Sequence, residues 1–274
     1  MALSDTVGGR GYQRLPSRML WSLMRVRFTL AYAMALTAVA ATLLALGSRV
    51  QNSVVSHVST NLHNLANGHL DTLVASAFVT EGHDIYVVLP GLVCLLAVGE
   101  LIWRGRRVML AFALGHLGAT GVVAVGLTVA IAAGWLPISV AHASDVGISY
   151  GAAGVLGALT AVIPRYWRPA WISWWLAVAL VAACWPGFTP VGHMIALMLG
   201  MGLSTRLETA VTWTRTRMVL LFVGALFGYV LITGSSSMLA SAIAGPAGAA
   251  VALIAHWAAR RWWAARSTTK PISA

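Results

Sequence analysis

Long apolar stretches separated by short polar segments run along almost the whole chain. Crossing a hydrocarbon core of ~30 Å takes roughly 20 helical residues, and windows near that length predict eight membrane spans, with six or seven as alternatives because the fifth to seventh stretches are short. The pattern predicts an all-α, polytopic membrane protein. The predicted spans are Phe28–Gly47, Ile85–Trp103, Val108–Val129, Gly147–Pro164, Ala170–Trp185, Val191–Leu203, Met218–Ile232 and Met238–Trp257.

The longest connection is residues 48–84, between the first and second predicted spans. Within it, Leu70–Thr80 is apolar but too short to cross a bilayer, which predicts a re-entrant or interfacial element. Residues 50–66 mix polar side chains with Val and Leu, which is typical of a helix lying at the membrane surface.

Composition and charge agree with a membrane protein. Of the 274 residues, 59% are apolar and 9% are charged, against roughly 25% charged in an ordinary soluble domain. The net charge of +11 does not indicate a nucleic-acid partner, because 17 of the 18 basic residues fall on one predicted side and only Arg49 lies on the other. Positive charge in short loops stays cytoplasmic. We therefore expect a cell-membrane protein with basic cytoplasmic tails at residues 1–27 and 260–274.

Two predicted spans begin with similar polar patterns. Asp145 precedes the fourth span as a suitable helix N-cap, and Thr189 precedes the sixth, with Pro190 at the first helical position. Counted from those caps, Ser149 and His193 each occupy the fourth helical position. Both spans run from outside to inside, so the hydroxyl and the imidazole are expected at a similar depth.

Small residues continue from each of these polar residues. Ser149 is followed by Ala153 and Gly157, and His193 by Ala196 and Gly200. Such stripes allow two membrane helices to approach closely, and a serine within reach of a histidine is the minimal activated nucleophile. The alternative is simple helix packing with a backbone-bonded serine, although intramembrane histidines are costly and tend to be functional.

The motifs at these positions carry a family resemblance. Gly147-Ile148-Ser149 and its trailing small-residue helix resemble the GxSG motif of rhomboid intramembrane proteases, and His193-Met194-Ile195-Ala196 resembles the rhomboid histidine helix. The similarity covers roughly residues 70 to 205. It implies a rhomboid-like six-helix core over residues 28–205, followed by about two additional C-terminal transmembrane helices within 206–259.

The resemblance implies a serine protease that cleaves transmembrane helices of other membrane proteins. Ser149 would be the nucleophile and His193 its base, without a third member. The sequence departs from the family where Tyr150 replaces the glycine after the serine, and where Tyr86 and Pro90 replace an HxxxN pair that stabilises the oxyanion. His83, Tyr86 or Tyr150 could supply that support. The alternative is an inactive pseudoprotease that binds client transmembrane helices.

The remaining sequence features give weaker indications of function. Phosphate-binding glycine loops and zinc-type Cys/His spacings are missing from the sequence, so we expect no cofactor and no metal. A small-solute transporter is less favoured, because the spans show no second polar pair and no inverted repeat. His116 is expected to form a hydrogen bond within the membrane, with Thr120 as a neighbour. Glu100 and Arg104 are spaced for an i, i+4 ion pair.

Overall fold

The computed structural model describes residues 24–79, 85–144 and 148–268, and within them every regular element is helical. Four of these helices are long and apolar enough to cross a membrane, and four shorter apolar helices accompany them. The prediction of an all-α polytopic membrane fold is confirmed. In chain order the helices are α1 Arg27–Leu46, α2 Ser48–Val58, α3 Leu62–Ala66, α4 Thr72–Ala75, α5 Ile85–Trp103, α6 Gly105–Ala132, α7 Ile148–Ala158, α8 Arg168–Ala183, α9 Thr189–Ser204, α10 Arg215–Thr233 and α11 Met238–Thr268.

The connection between α1 and α5 is folded back onto the bundle. Gly47, with φ +87°, ends α1 and allows the chain to turn into α2. Helix α4 and the 3₁₀ turn Ser76–Phe78 form the apolar part of this segment, and Ser76 is completely buried. A buried serine in such a short helical element agrees with the re-entrant alternative for this stretch.

Helix α6 is continuous over 28 residues but changes geometry in its middle. Leu114–Gly118 forms a π-helical turn, which buries both Gly115 and His116. Such turns insert one extra residue and are frequent at functional sites.

Helix α7 lies at the centre of the bundle, and glycines let its neighbours reach its backbone. A Cβ on Gly154 would lie 2.7 Å from the Cα of Gly115 in α6. On the other side, a Cβ on Gly157 would overlap the carbonyl oxygen of Leu197 in α9, and one on Gly200 would overlap that of Gly154. Tyr150 meets Gly192 nearer the start of both helices than Gly157 meets Leu197, so α7 and α9 run parallel with their backbones touching.

The two last helices pack on different helices of this core. Helix α10 lies on α5, where a Cβ on Gly224 would come 2.9 Å from the Cα of Leu95. Helix α11 lies on α8, where a Cβ on Gly248 would come 2.8 Å from the carbonyl oxygen of Ser173. The sequence predicted that the last span ends at Trp257, but α11 continues to Thr268, because the arginine- and alanine-rich residues that follow are good helix formers.

Glu100, near the end of α5, forms hydrogen bonds with the start of α1. Its carboxylate accepts hydrogen bonds from the backbone N–H groups of Phe28 and Thr29 at 2.9 and 2.8 Å, and from the Thr29 hydroxyl at 2.9 Å. The expected ion pair with Arg104 is therefore wrong. The unpaired N–H groups of the first turn of α1 and their partial positive charge attract the carboxylate instead.

Candidate functional site

Ser149 lies in the first described turn of α7, and its accessibility differs from that of its neighbours. Every other residue of Ile148–Ala158 is buried, whereas Ser149 is partly exposed. A central helix thus presents one hydroxyl-bearing residue to accessible space at its start. The predicted N-cap of this helix, Asp145, lies outside the described residues.

Helix α9 begins one residue earlier than the sequence predicted. Thr189 is its first helical residue rather than its N-cap, since Phe188 already has helical backbone angles and α9 has no side-chain cap. Gly187, with φ +119°, makes the preceding turn tight enough for the chain to enter the helix at Phe188. His193 is therefore the fifth residue of α9 instead of the fourth, and its side chain is buried.

Tyr150 fills the space between the starts of α7 and α9. Its side chain is completely buried, and its ring meets the imidazole of His193 edge-on at a centroid distance of 5.5 Å. A Cβ on Gly192 would overlap the Tyr150 hydroxyl, so the glycine before His193 makes room for the tyrosine. This contact places residues 149–150 of α7 level with residues 192–193 of α9.

The imidazole of His193 has no hydrogen-bond partner among the described residues, at either Nδ1 or Nε2. A hydrogen bond from the Ser149 hydroxyl to His193 is consequently not formed in this conformation. Buried polar groups without partners are rare and costly. His193 is therefore a buried imidazole whose hydrogen-bonding capacity the described residues leave unused.

His116 belongs to a separate buried polar cluster on the neighbouring α6. Its Nε2 lies 2.7 Å from the carbonyl oxygen of Leu73 and 3.4 Å from the Ser76 hydroxyl, which in turn lies 2.6 Å from the Thr60 hydroxyl. A carbonyl oxygen only accepts, so Nε2 carries a proton. His116 thus forms the expected buried hydrogen bond, and its partner is the folded-back segment between α1 and α5 rather than Thr120.

The two described residues that were predicted to support an oxyanion, Tyr86 and Tyr150, lie in different environments. Tyr86, the second residue of α5, has a side chain that is 77% exposed, and Pro90 lies inside the same helix. His83 lies outside the described residues. Of the two candidates within the described residues, Tyr150 lies against the histidine, and its contact there is with the ring.

A comparison with protein families agrees with this arrangement. The family model described as "Rhomboid-like protein" matches residues 26–211, which is more than half of the chain. The chain belongs to the rhomboid-like family. The match spans α1 through α9 and ends before α10 begins at Arg215. Neither a curated protein nor a solved structure matches the sequence.

Sequence reasoning missed one contributor to this rhomboid-like site. Gly192 is needed for the Tyr150–His193 contact, and its signal was a glycine directly before an intramembrane histidine. Within the described part of the chain, no three His, Cys, Asp or Glu residues are grouped in a way that could hold a metal ion.

Proposed function

We propose that this rhomboid-like protein is an intramembrane serine protease in which Ser149 is the nucleophile and His193 the general base. The observation that supports the proposal is the level placement of the two residues. Helices α7 and α9 run parallel in backbone contact, Ser149 is the one partly exposed residue of α7, and both nitrogens of the adjacent His193 are buried and unpartnered.

The proposed reaction is acyl transfer. The Ser149 hydroxyl attacks the carbonyl carbon of a peptide bond in a substrate transmembrane helix, and His193 accepts its proton. The tetrahedral intermediate then collapses, the C–N bond breaks, and His193 returns the proton to the leaving amine. Water, activated by His193, hydrolyses the acyl-serine ester and releases the second product.

The start of α7 favours the negative charge that forms during this reaction. Backbone N–H groups of a first helical turn have no intrahelical partner and carry partial positive charge. They would lie next to an oxyanion formed at Ser149, which compensates in part for the HxxxN pair that Tyr86 and Pro90 replace. The Ser149–His193 hydrogen bond would form when substrate binds, since catalytic hydrogen bonds are often loose without it.

Position in the bilayer follows from helix length and charge. The helical stretch Ile148–Val162 has a length of roughly 22 Å, less than the ~30 Å hydrocarbon core, which leaves Ser149 below one membrane surface. We place that surface outside the cell, with both termini in the cytoplasm, because the arginines of the α5–α6, α7–α8 and α9–α10 connections lie at the opposite helix ends. The match to residues 26–211 supports a core of residues 28–205 with α10 and α11 as additions.

A fluorophosphonate probe tests the proposal, because it reacts covalently only with an activated serine. In membranes containing the full chain, we expect labelling of the native protein, none in Ser149→Ala, and a decrease of about 10²-fold or more in His193→Ala. Ser204→Ala and His256→Ala are matched controls on α9 and α11 and should label normally. Labelling that persists in Ser149→Ala would contradict the proposed nucleophile.

A pseudoprotease that binds client transmembrane helices is the second candidate. The observation that favours it is the unformed hydrogen bond between Ser149 and His193, with Tyr150 packed against the imidazole. This function predicts that the native protein is not labelled and leaves a co-reconstituted single-span reporter uncut. It further predicts that the reporter crosslinks equally to the native chain and to Ser149→Ala.

A further inference from the structure

The turn between α5 and α6 forms a pocket with four arginines. It has a volume of about 890 Å³, and the guanidinium-bearing residues Arg27, Arg104, Arg106 and Arg107 line it. We call this the arginine pocket. It lies at the end of α7 opposite Ser149, since α6 runs antiparallel to α7.

The four arginines of the pocket have no acidic partner among the described residues. The described carboxylates are those of Asp71, Glu100 and Glu208. Glu208 pairs with Arg165 and Arg168, and both oxygens of Glu100 are occupied by hydrogen bonds from the start of α1. The Glu100 carboxylate lies beside Gly105 at this turn, so four guanidinium groups share a single negative charge there, and the excess positive charge attracts an anion.

The backbone of Arg104 adds an independent observation. Arg104 has φ +74° and is the only non-glycine residue with a positive φ in the described chain. A positive φ strains the backbone of an arginine. It arises here because one residue must connect α5, which ends at Trp103, to α6, which begins at Gly105. Glycine would fit this conformation better, so an arginine here points to a use for its charge.

The pocket also has an apolar wall, which distinguishes an anionic lipid from a small soluble anion. Met109 and Leu110 line it and are each about half exposed, at 51% and 53%. They follow the arginines along α6 toward the middle of the membrane. A phospholipid offers both chemistries in the same order, a charged phosphate at the membrane surface and acyl chains below it.

From this arrangement we propose that the arginine pocket binds the headgroup of an anionic phospholipid, with an acyl chain along Met109 and Leu110. The phosphate would accept hydrogen bonds from the guanidinium groups, whose planar donors suit phosphate oxygens. The proposal is independent of whether the protein cleaves substrates.

The test compares thermal unfolding of the purified full chain in mixed micelles that contain either phosphatidylglycerol or phosphatidylcholine at the same mole fraction. Phosphatidylglycerol should raise the midpoint by about 5–10 °C more than phosphatidylcholine when it is near 100-fold above its Kd. Arg106→Gln/Arg107→Gln should lose more than half of that difference. Arg260→Gln/Arg261→Gln, which removes the same charge from α11, should retain most of it.

Substitutions at Arg104 separate binding from backbone strain. Arg104→Gly should raise the unfolding midpoint in phosphatidylcholine, because the strain is relieved, and should reduce the increment from phosphatidylglycerol. Arg104→Gln should reduce the same increment without the gain in phosphatidylcholine. Both variants retaining the full increment would overturn the role of Arg104.

Three results would overturn the lipid site as a whole. These are equal midpoints in the two lipids, an equal loss in the α11 control, and stabilisation by soluble glycerol phosphate that equals that by phosphatidylglycerol. The second would indicate diffuse attraction by the total charge, and the third would indicate a site for a free phosphate. Retention of phosphatidylglycerol by the native chain but not by the Arg106/Arg107 variant in native mass spectrometry would support the site.

Discussion

The ring of Tyr150 stands nearly perpendicular to the imidazole of His193, with an angle of 83° between their planes and their centroids 5.5 Å apart. Edge-to-face contacts of this kind are favourable beyond the area they bury. Because Tyr150 is also completely buried between α7 and α9, it fixes the position of the histidine ring relative to Ser149. Tyr150 is thus a positioning residue for the proposed base.

The first prediction concerns this contact. Tyr150→Ala should destabilise the protein by about 3 kcal/mol through the cavity it leaves. It should also decrease fluorophosphonate labelling of Ser149 at least tenfold, because the imidazole of His193 loses the ring that packs against it. Tyr150→Phe keeps the ring and should label within about threefold of the native protein. The readout is the labelling rate at a temperature where both variants remain folded. Normal labelling in Tyr150→Ala would exclude the positioning role.

The second prediction tests the backbone contact between α7 and α9. Gly200→Ala should cost about 3 kcal/mol and reduce labelling, since its Cβ would overlap the carbonyl oxygen of Gly154 and separate the helices. Gly202→Ala, two residues later on the same helix, meets nothing within 4 Å. It should stabilise α9 by roughly 0.5–1 kcal/mol. Thermal unfolding in detergent measures both, and equal effects would contradict the close packing.

The third prediction concerns the attachment of α1 to α5. Glu100→Ala removes a buried acceptor of three hydrogen bonds and should lower the free energy of unfolding by about 2–3 kcal/mol. Thr29→Val removes only the hydroxyl donor and should cost about 1 kcal/mol. Denaturant titration of the two variants provides the comparison. If Thr29→Val proved as damaging as Glu100→Ala, the backbone hydrogen bonds would carry little of the effect.

The fourth prediction is a dependence of stability on pH. A hydrogen bond from Arg168, together with its charge and that of Arg165, lowers the pKa of Glu208 below its ordinary value of 4.5. A lowered pKa contributes stability that is complete above the ordinary value and is lost as the pH falls through the lowered one. The native protein should therefore unfold at a slightly higher temperature than Glu208→Gln at pH 7.

That difference should shrink steadily once the pH drops below 4.5. It should be small throughout, because the pair is exposed and screened by solvent. Arg206→Gln, which alters a nearby charge without touching this pair, serves as the control. A difference that grows on acidification would show that the sign assigned to Glu208 is wrong.

Much of the fold could be predicted because apolar run length and arginine placement are local signals. The described part of the chain contains eight apolar helices at the eight predicted places, and α1 starts within one residue of its predicted span. The family match over residues 26–211 supports the rhomboid-like resemblance and includes Ser149 and His193 in its range. Their joint placement could be anticipated because small residues repeat at helical spacing on both helices.

The remaining details depend on contacts between distant segments, which single-sequence patterns do not encode. Glu100 has Arg104 one turn away along the chain but bonds to α1, 71 residues distant. His116 similarly bonds to the folded-back segment instead of to Thr120. Local spacing identifies which residues are polar and buried, whereas tertiary packing decides their partners. The N-cap assigned to Thr189 failed for another reason, because a tight turn at Gly187 started the helix early.

The π-helical turn Leu114–Gly118 has a consequence for how this chain tolerates changes in length. It accommodates one residue beyond a regular α-helical path, and each residue of an α-helix corresponds to a rotation of about 100°. Deleting a single residue there would restore a regular helix and swing everything after it, including the face carrying Ala119 beside Tyr150, around the helix axis. The single extra residue thus determines the rotation of one half of this helix relative to the other.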